Sequence, residues 1–319
     1  MDELIAHARE AFGWDGDVAA SAGPRGALGQ IWRLEVGRRR YALKEIFAEP
    51  PSEALIAAEL AFARRAADAG VRVPAGHPDR EGRYLVTTPG GTWLRLYDWV
   101  DLRPVPLSDP ATPGAIGDLL ARLHRCAPAM TAEADGHPPA SWYDHVPAPD
   151  AWIEATTSEA AWAPRLADRL ATLPDLSGAV TPADPAELIT CHRDLHPENV
   201  LAGPTGDLVV VDWDNVGPAT PARELAQAMF DWFFDDLDAM AALCAAYVRA
   251  GGPGRITGAA DFSMMLATRL NFVLGQSRLA LDPRTEPRHR EWAEHEIDGT
   301  LDVLPTPRRL SEVLARVGP

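Results

Sequence analysis

The sequence predicts an α+β chain in two parts: a small β-sheet part with one main helix over residues 1–97, and a larger, mostly helical part over 102–319, joined by a short segment at 98–101. Three observations lead there. Strand-like alternation surrounds a single Ala-rich helix in the first part. From Asp101 the composition turns to Pro-rich loops and Ala/Leu-rich helical stretches. At 319 residues, 46% of them apolar, the chain exceeds a typical single domain and has ample material for a core.

In chain order, MDELIAHAREAFGW reads as an amphipathic helix and AASAGPRGALGQIWRLEVGRRRYALKEIF as two or three strands with Gly-rich turns. Within RRRYALKEI, Tyr41, Leu43 and Glu45 alternate with Ala42, Lys44 and Ile46, which puts Lys44 on a strand. PSEALIAAELAFARRAADAG is a helix closed by Gly70, with Pro74 just beyond it. GRYLVTT and TWLRLYDWV supply two more strands. Further helices are expected over 112–126, 150–172, 221–249, 257–281 and 288–303. Two short apolar strands, in ENVLAG and DLVVVDWD, interrupt them and are separated by the turn GPTGD. The Pro-rich stretch 127–187 is the least regular and reads as an insertion or a flexible excursion.

A formal charge of −16 argues against nucleic acid or a membrane surface as partner. Three cysteines without a CxxC pair argue against a disulfide framework or a thiolate zinc site. No apolar leader pattern opens the chain and no apolar run is long enough to span a bilayer, so the expectation is a soluble, cytoplasmic protein. Of 30 basic residues one alone, Lys44, is lysine. An Ala- and Arg-rich chain is what a GC-rich genome encodes, and a lysine that survives such drift marks a place that needs an ammonium.

The chemistry is concentrated in CHRDLHPENVL, residues 191–201. HRDLHPEN matches the kinase catalytic-loop pattern HRDLxxxN, in which the aspartate orients and deprotonates the attacking hydroxyl and the asparagine ligates magnesium. Here these are Asp194 and Asn199, and Asp212 follows thirteen residues later at the end of an apolar strand, where a second metal-binding carboxylate belongs. Two other readings use the same residues. His192, Asp194 and His196 have the makings of a metal cluster, but the remaining histidines are scattered along the chain. VVVDWDNV resembles the first motif of haloacid-dehalogenase-type phosphatases, but that chemistry needs a lysine downstream and the single lysine lies upstream.

With these motifs the sequence resembles the aminoglycoside phosphotransferase and choline kinase-like family, small-molecule relatives of protein kinases, over nearly its whole length. The resemblance implies a bilobal protein-kinase-like fold that uses ATP or GTP with Mg²⁺. RGALGQIWRLEVGRRRYALKE is similar to the family's nucleotide loop and third strand, so Lys44 would hold the phosphates and Ser21 and Gly26 would line the loop. The glycines run GxxGxxG in place of GxGxxG. AAELAFARRAADAGVRVP puts Glu59, with Glu53 as the alternative, at the position of the lysine's ion-pair partner. LRLYDWV resembles the hinge, where Asp98, Trp99 and Val100 would meet the nucleobase.

By the same resemblance Asp194 is the catalytic base, and Asn199 and Asp212 are the magnesium ligands. His196 in place of lysine, DWD in place of DFG and the absence of an APE sequence favour a small-molecule acceptor over a protein. Glu224, in PARELAQ, replaces the family's aspartate, which braces the active-site loops. The family's acceptor cleft is walled by C-terminal helices. Here these carry Asp231, Asp235, Asp236, Asp238, Glu291, Glu294, Glu296 and Asp298, together with Trp232 and Trp292. Asp231, Asp235, Glu291 and Trp292 are therefore the acceptor-site candidates, and a polycationic, hydroxyl-bearing antibiotic such as an aminoglycoside is the favoured acceptor. An amino sugar, a sugar, homoserine or choline is the alternative. Lys44, Asp194, Asn199 and Asp212 are all present, which argues against a catalytically dead relative.

Overall fold

The computed structural model describes residues 2–25, 29–47, 50–128 and 141–318. Two compact units emerge, residues 1–105 with 197–216, and 106–196 with 217–319. The hairpin 197–216, which the sequence reading leaves with the helical part, groups with the first unit. Its backbone bridges back from Val209 to Arg72 and from Ala202 to Arg103.

The first unit begins with helix α1 (Asp2–Phe12), strands β1 (Val18–Arg25), β2 (Gly29–Val36) and β3 (Arg39–Ile46), and helix α2 (Glu53–Asp68). Strands β4 (Gly76–His77), β5 (Val86–Thr87) and β6 (Trp93–Asp98) follow. Among the described residues the sheet runs β1-β2-β3-β6-β4, with β5 also on β6 and every pairing antiparallel. Leu34, Tyr41, Leu43, Leu94 and Leu96 join one core cluster with Ala8 of α1, and Leu4, Ile5 and Phe12 pack against it. The alternation that buries Leu43 turns Lys44 to the other face, and the β3–β6 register sets Lys44 directly opposite Arg95. Ser52 caps α2, its Oγ accepting the Leu55 N–H at 3.2 Å. The buried stripe of α2 is Leu55, Ile56, Glu59, Phe62 and Ala66, so Glu59 is a carboxylate set in an apolar row at helical spacing.

The second unit opens with α3 (Thr112–Cys126), and short helices follow in the region expected to be irregular: α4 (Ser141–Asp144), α5 (Ile153–Thr157), α6 (Ala163–Leu170) and α7 (Leu173–Ala179). Strand β7 (Ile189–Cys191) comes next. The first-unit hairpin then supplies β8 (Val200–Ala202) and β9 (Leu208–Val210). Back in the second unit, β10 (Gly217–Ala219) pairs antiparallel with β7. Helices α8 (Pro221–Phe233), α9 (Leu237–Arg249), α10 (Ser263–Leu281), α11 (Pro287–Val303) and α12 (Pro307–Val317) complete it.

The single helix expected over 221–249 is two, because Asp236 caps α9 by accepting the Asp238 and Ala239 N–H groups. α8 is buried on nearly every side, polar residues Arg223, Glu224 and Gln227 included. α3 lies against α9 so closely that a Cβ on Gly117 would stand 2.3 Å from the Leu243 carbonyl oxygen. No helix of the described residues is long and apolar enough to cross a membrane.

Candidate active site

Among the described residues, Arg193 (φ 65°) and Asp212 (φ 55°) are the non-glycine residues with positive φ. Both belong to the chemistry-bearing motifs. Such backbone costs roughly 1–3 kcal/mol and persists only where its surroundings hold it, so what holds each one is the first question.

In the second unit the answer is one face of α8. Glu224 Oε1 accepts the Arg193 N–H. Gln227 Nε2 donates to the Arg193 carbonyl at 3.1 Å, and Trp232 Nε1 donates to the Leu195 carbonyl at 2.7 Å. Positions i, i+3 and i+8 of a helix share a side, so three side chains grip both ends of the turn that carries Asp194. The second oxygen of Glu224 meets His124 Nε2 at 2.6 Å. His124 Nδ1 faces the Tyr247 hydroxyl at 2.7 Å, and that oxygen accepts the Gly254 N–H at 2.9 Å. His124 therefore links the Glu224 carboxylate to the Tyr247 hydroxyl across the buried core. Burial pushes the Glu224 pKa up, but the His124 and Arg193 donors outweigh it and hold the carboxyl below its ordinary value. The Arg193 guanidinium lies over the Tyr143 ring at 4.0 Å and passes Gly217, where a Cβ would stand 2.5 Å from Cζ. Glu224 thus braces the loop despite its extra methylene.

Asp194 itself is about one-third exposed, with His196 Nε2 3.5 Å from its Oδ1. Asp231, two turns beyond Glu224 on the same side of α8, accepts from Arg269 at 2.9 Å. Burial raises the Asp231 pKa against the pull of Arg269, and Asp194 and His196 are near enough to act on it.

In the first unit the hairpin β8–β9 pairs Val200 with Val210, and the Val211 N–H donates to the Asn199 carbonyl at 2.9 Å. This register brings Asn199 beside the stretch that ends in Asp212. Two side-chain oxygen donors on such neighbouring stretches suit a hard, oxygen-seeking ion, so Asn199 and Asp212 are the residues that could hold a divalent metal. Lys44 Nζ donates to Asp212 Oδ1 and to Asp214 Oδ2, each at 2.7 Å. Burial pulls the Lys44 pKa down, but the two carboxylates more than offset it, so the group stays an ammonium. Trp213 packs edge-on against Phe62 of α2 at 5.3 Å and donates to the Val210 carbonyl at 3.2 Å.

Glu59 is not the partner of Lys44. It is bonded in bidentate fashion by Arg95, Nη1 to Oε2 at 2.7 Å and Nη2 to Oε1 at 3.0 Å, and Arg95 Nη1 also reaches Asp214 Oδ1 at 3.1 Å. A buried guanidinium one strand away outcompetes the lysine for the carboxylate, because its planar fork matches both oxygens. At the segment 98–100, the Asp98 N–H donates to the Ala75 carbonyl at 2.9 Å and the Trp99 N–H to the Arg40 carbonyl at 3.2 Å. Their side chains are also engaged, Asp98 by His77 at 2.7 Å and the Trp99 indole with Asp101 at 2.9 Å. Of the three residues, Val100 keeps an N–H with no partner among the described residues. Ser21 lies exposed on β1, and Gly26 falls outside the described residues.

Several of the acids expected to line the cleft are engaged within the protein itself. Asp236 caps a helix, Asp238 pairs with Arg316 and Asp298 with Arg165, each pair at 2.9 Å. Asp235 borders a cavity of about 370 Å³ with Arg169, Arg308 and Arg309. Glu291 is exposed and Trp292 half-buried on α11, and neither side chain makes a hydrogen bond or ion pair among the described residues. Trp232 is sealed in the core. Asp231 is the acceptor candidate that the fold brings near Asp194.

A fold of antiparallel sheet plus helical unit, with a braced HRD loop and an ammonium held by a DWD pair, defines a kinase-like phosphotransferase. The family model described as "Phosphotransferase enzyme family" matches residues 20–260, and the chain belongs to that family. No curated protein sequence matches the chain. Among solved structures, it is similar to a spectinomycin phosphotransferase in complex with ADP and spectinomycin (12% identity, 97% of this chain and 98% of that one, TM-score 0.69). It is also similar to a microcompartment-associated aminopropanol kinase (17% identity, 97% and 98%, TM-score 0.64). A third is an amicoumacin kinase in complex with AMP-PNP and Ca²⁺ (14% identity, 95% and 94%, TM-score 0.59). At these identities the likeness establishes the fold.

Proposed function

We propose that the protein transfers the γ-phosphoryl group of ATP, or GTP, to a hydroxyl of a small cationic acceptor. The observation that carries this reading is Lys44, the chain's single lysine, held at 2.7 Å by both carboxylates of the DWD pair. Asp194 precedes the metal-ligand candidate Asn199 by five residues of chain, the spacing of a phosphoryl-transfer loop. Mg²⁺, when bound, supplies charge neutralisation at the phosphate oxygens. Lys44 supplies the fixed protein cation, and the Val100 N–H the contact to the nucleobase. Asp194 aligns the acceptor hydroxyl and takes its proton as the bond to phosphorus forms, so its pKa need not be raised toward neutrality.

The acceptor we infer is a hydroxylated amine, an aminoglycoside-type or related antibiotic ahead of a metabolite such as an amino sugar, homoserine or choline. The similar structures include kinases named for spectinomycin, amicoumacin and aminopropanol. Asp231 near Asp194 offers a carboxylate to such an amine, though Arg269 shares it. A coupled nucleotide-turnover screen over aminoglycosides, cationic peptide antibiotics, macrolides, amino sugars, homoserine and choline tests both statements. Turnover with a cationic acceptor whose KM rises with salt much more than the KM for ATP is the expected result. Turnover confined to uncharged acceptors rejects the cationic class, and no turnover with any of them counts against the kinase reading.

A further inference from the structure

Lys44 and Arg95 stand directly opposite each other on β3 and β6. Like charges at opposed positions destabilise a sheet, so this pair exists for what lies between its members. Arg95 is 1% exposed and Glu59 4%, and removing either partner of such a sealed pair would strand a buried charge. Lys44 is 14% exposed, Asp214 31% and Asp212 45%. The five groups form one chain, Glu59–Arg95–Asp214–Lys44–Asp212, running from a sealed end to an open one. A guanidinium can grip Glu59 with two parallel bonds and still share Nη1 with Asp214, whereas an ammonium is a point charge with no such fork. Arg95 therefore frees Lys44 from Glu59 and fixes the carboxylate that Lys44 uses in its place.

We propose that Asp214, held by Arg95, is the positioning partner that aims Lys44 at the nucleotide phosphates, and that Glu59 acts only through Arg95. The proposal rests on the reading of Lys44 as the phosphate-binding cation. It divides the DWD pair by function. Asp214 has one oxygen on each cation, which leaves Asp212, on its left-handed backbone turn, as the carboxylate for the metal. It also uncouples helix α2 from the lysine: the helix is clamped to β6 through Arg95, whether or not phosphates occupy Lys44.

The test is calorimetric titration with ADP and Mg²⁺, which needs no acceptor, on Lys44→Met, Asp214→Asn, Glu59→Gln and the double variant Lys44→Met/Asp214→Asn. Thermal unfolding of each is followed alongside. Lys44→Met should weaken ADP on the order of 10-fold or more, Asp214→Asn by a comparable factor, and the double variant no more than Lys44→Met alone, the signature of coupled residues. Glu59→Gln should lower the unfolding temperature more than Asp214→Asn does, yet leave the ADP affinity of the folded protein within roughly 3-fold. Arg95→Met is the direct variant but risks misfolding, and the part-exposed Asp214 keeps the test valid without it. Losses that multiply in the double variant, or a Glu59→Gln loss of affinity that matches Lys44→Met while Asp214→Asn binds normally, would overturn the assignment. Unchanged ADP affinity in Lys44→Met is a different failure, since it removes the phosphate-site reading itself.

Discussion

Each unit builds a charge cluster around a carboxylate, and the two are made to opposite specifications. Glu224 is 2% exposed and both its oxygens face donors of the protein itself, His124 and the Arg193 N–H. Asp212 and Asp214 are 45% and 31% exposed and share one ammonium between them. A sealed, fully satisfied carboxylate fixes backbone geometry, because any departure leaves a buried group unmet. An open pair around a shared cation keeps charge where a ligand can reach it. The same residue types thus hold backbone in place or present charge to a ligand according to burial and the number of fixed partners.

The hardest test of that division is Asp194, which the sealed cluster positions through the backbone on either side of it. Asp194→Asn should lower kcat by roughly 10²- to 10⁴-fold while ADP affinity stays near wild type. Turnover and nucleotide binding measured on one preparation decide it, and retained turnover would take Asp194 out of the mechanism. Next comes Lys44→Arg. Arginine keeps the charge but its longer fork cannot sit between Asp212 and Asp214 as a compact ammonium does, so kcat/KM should fall on the order of 10²-fold with little change in unfolding temperature. Wild-type rates would make the lone lysine a leftover of codon drift.

Why the sequence singles out Lys44, Asp194, Asn199 and Asp212 as candidates and not Arg95 follows from the same contrast. The first four sit in short motifs whose spacing is set by one strand or one turn, so local sequence carries the geometry. Arg95 lies in WLRLYD, where the period of two marks it only as facing away from Leu94 and Leu96. Its neighbour across the sheet and the helix carboxylate 36 residues earlier are set by register and packing. His124 and Tyr247 likewise meet across 123 residues. The acidic helices show the converse: composition displays Asp231, Asp238 and Asp298 but not the arginines from other elements that face them. Strands β7 and β10, three residues each, are too short to show a period.

Within the sealed cluster, Glu224→Ala strips the acceptor from both His124 and the Arg193 N–H. Each buried group left unmet costs about 1–3 kcal/mol, so denaturant unfolding should register a loss of that order per group. The positive φ of Arg193 loses its support as well, so kcat should drop with it. A stable variant with full activity would mean that Gln227 and Trp232 alone hold the loop.

The smallest effect expected is on the pH dependence of stability, and its sign is what matters. The Glu224 carboxyl is held below its ordinary value of 4.5 because donors from His124 and Arg193 favour the anion more than burial disfavours it. As pH falls, the unfolded chain takes up this proton first, so below about 4.5 protonation draws the equilibrium toward the unfolded state. The stability owed to the charge is therefore fully present above that pH and disappears as pH falls through the lowered native value. Glu224→Gln keeps the shape and one acceptor oxygen but has no proton to exchange. The difference in unfolding free energy between wild type and Glu224→Gln should then shrink as pH falls below about 4.5. A difference that grows below about 4.5 would mean that burial, and not the two donors, sets the charge state of Glu224, and the sealed cluster would have to be read as one built around a neutral acid.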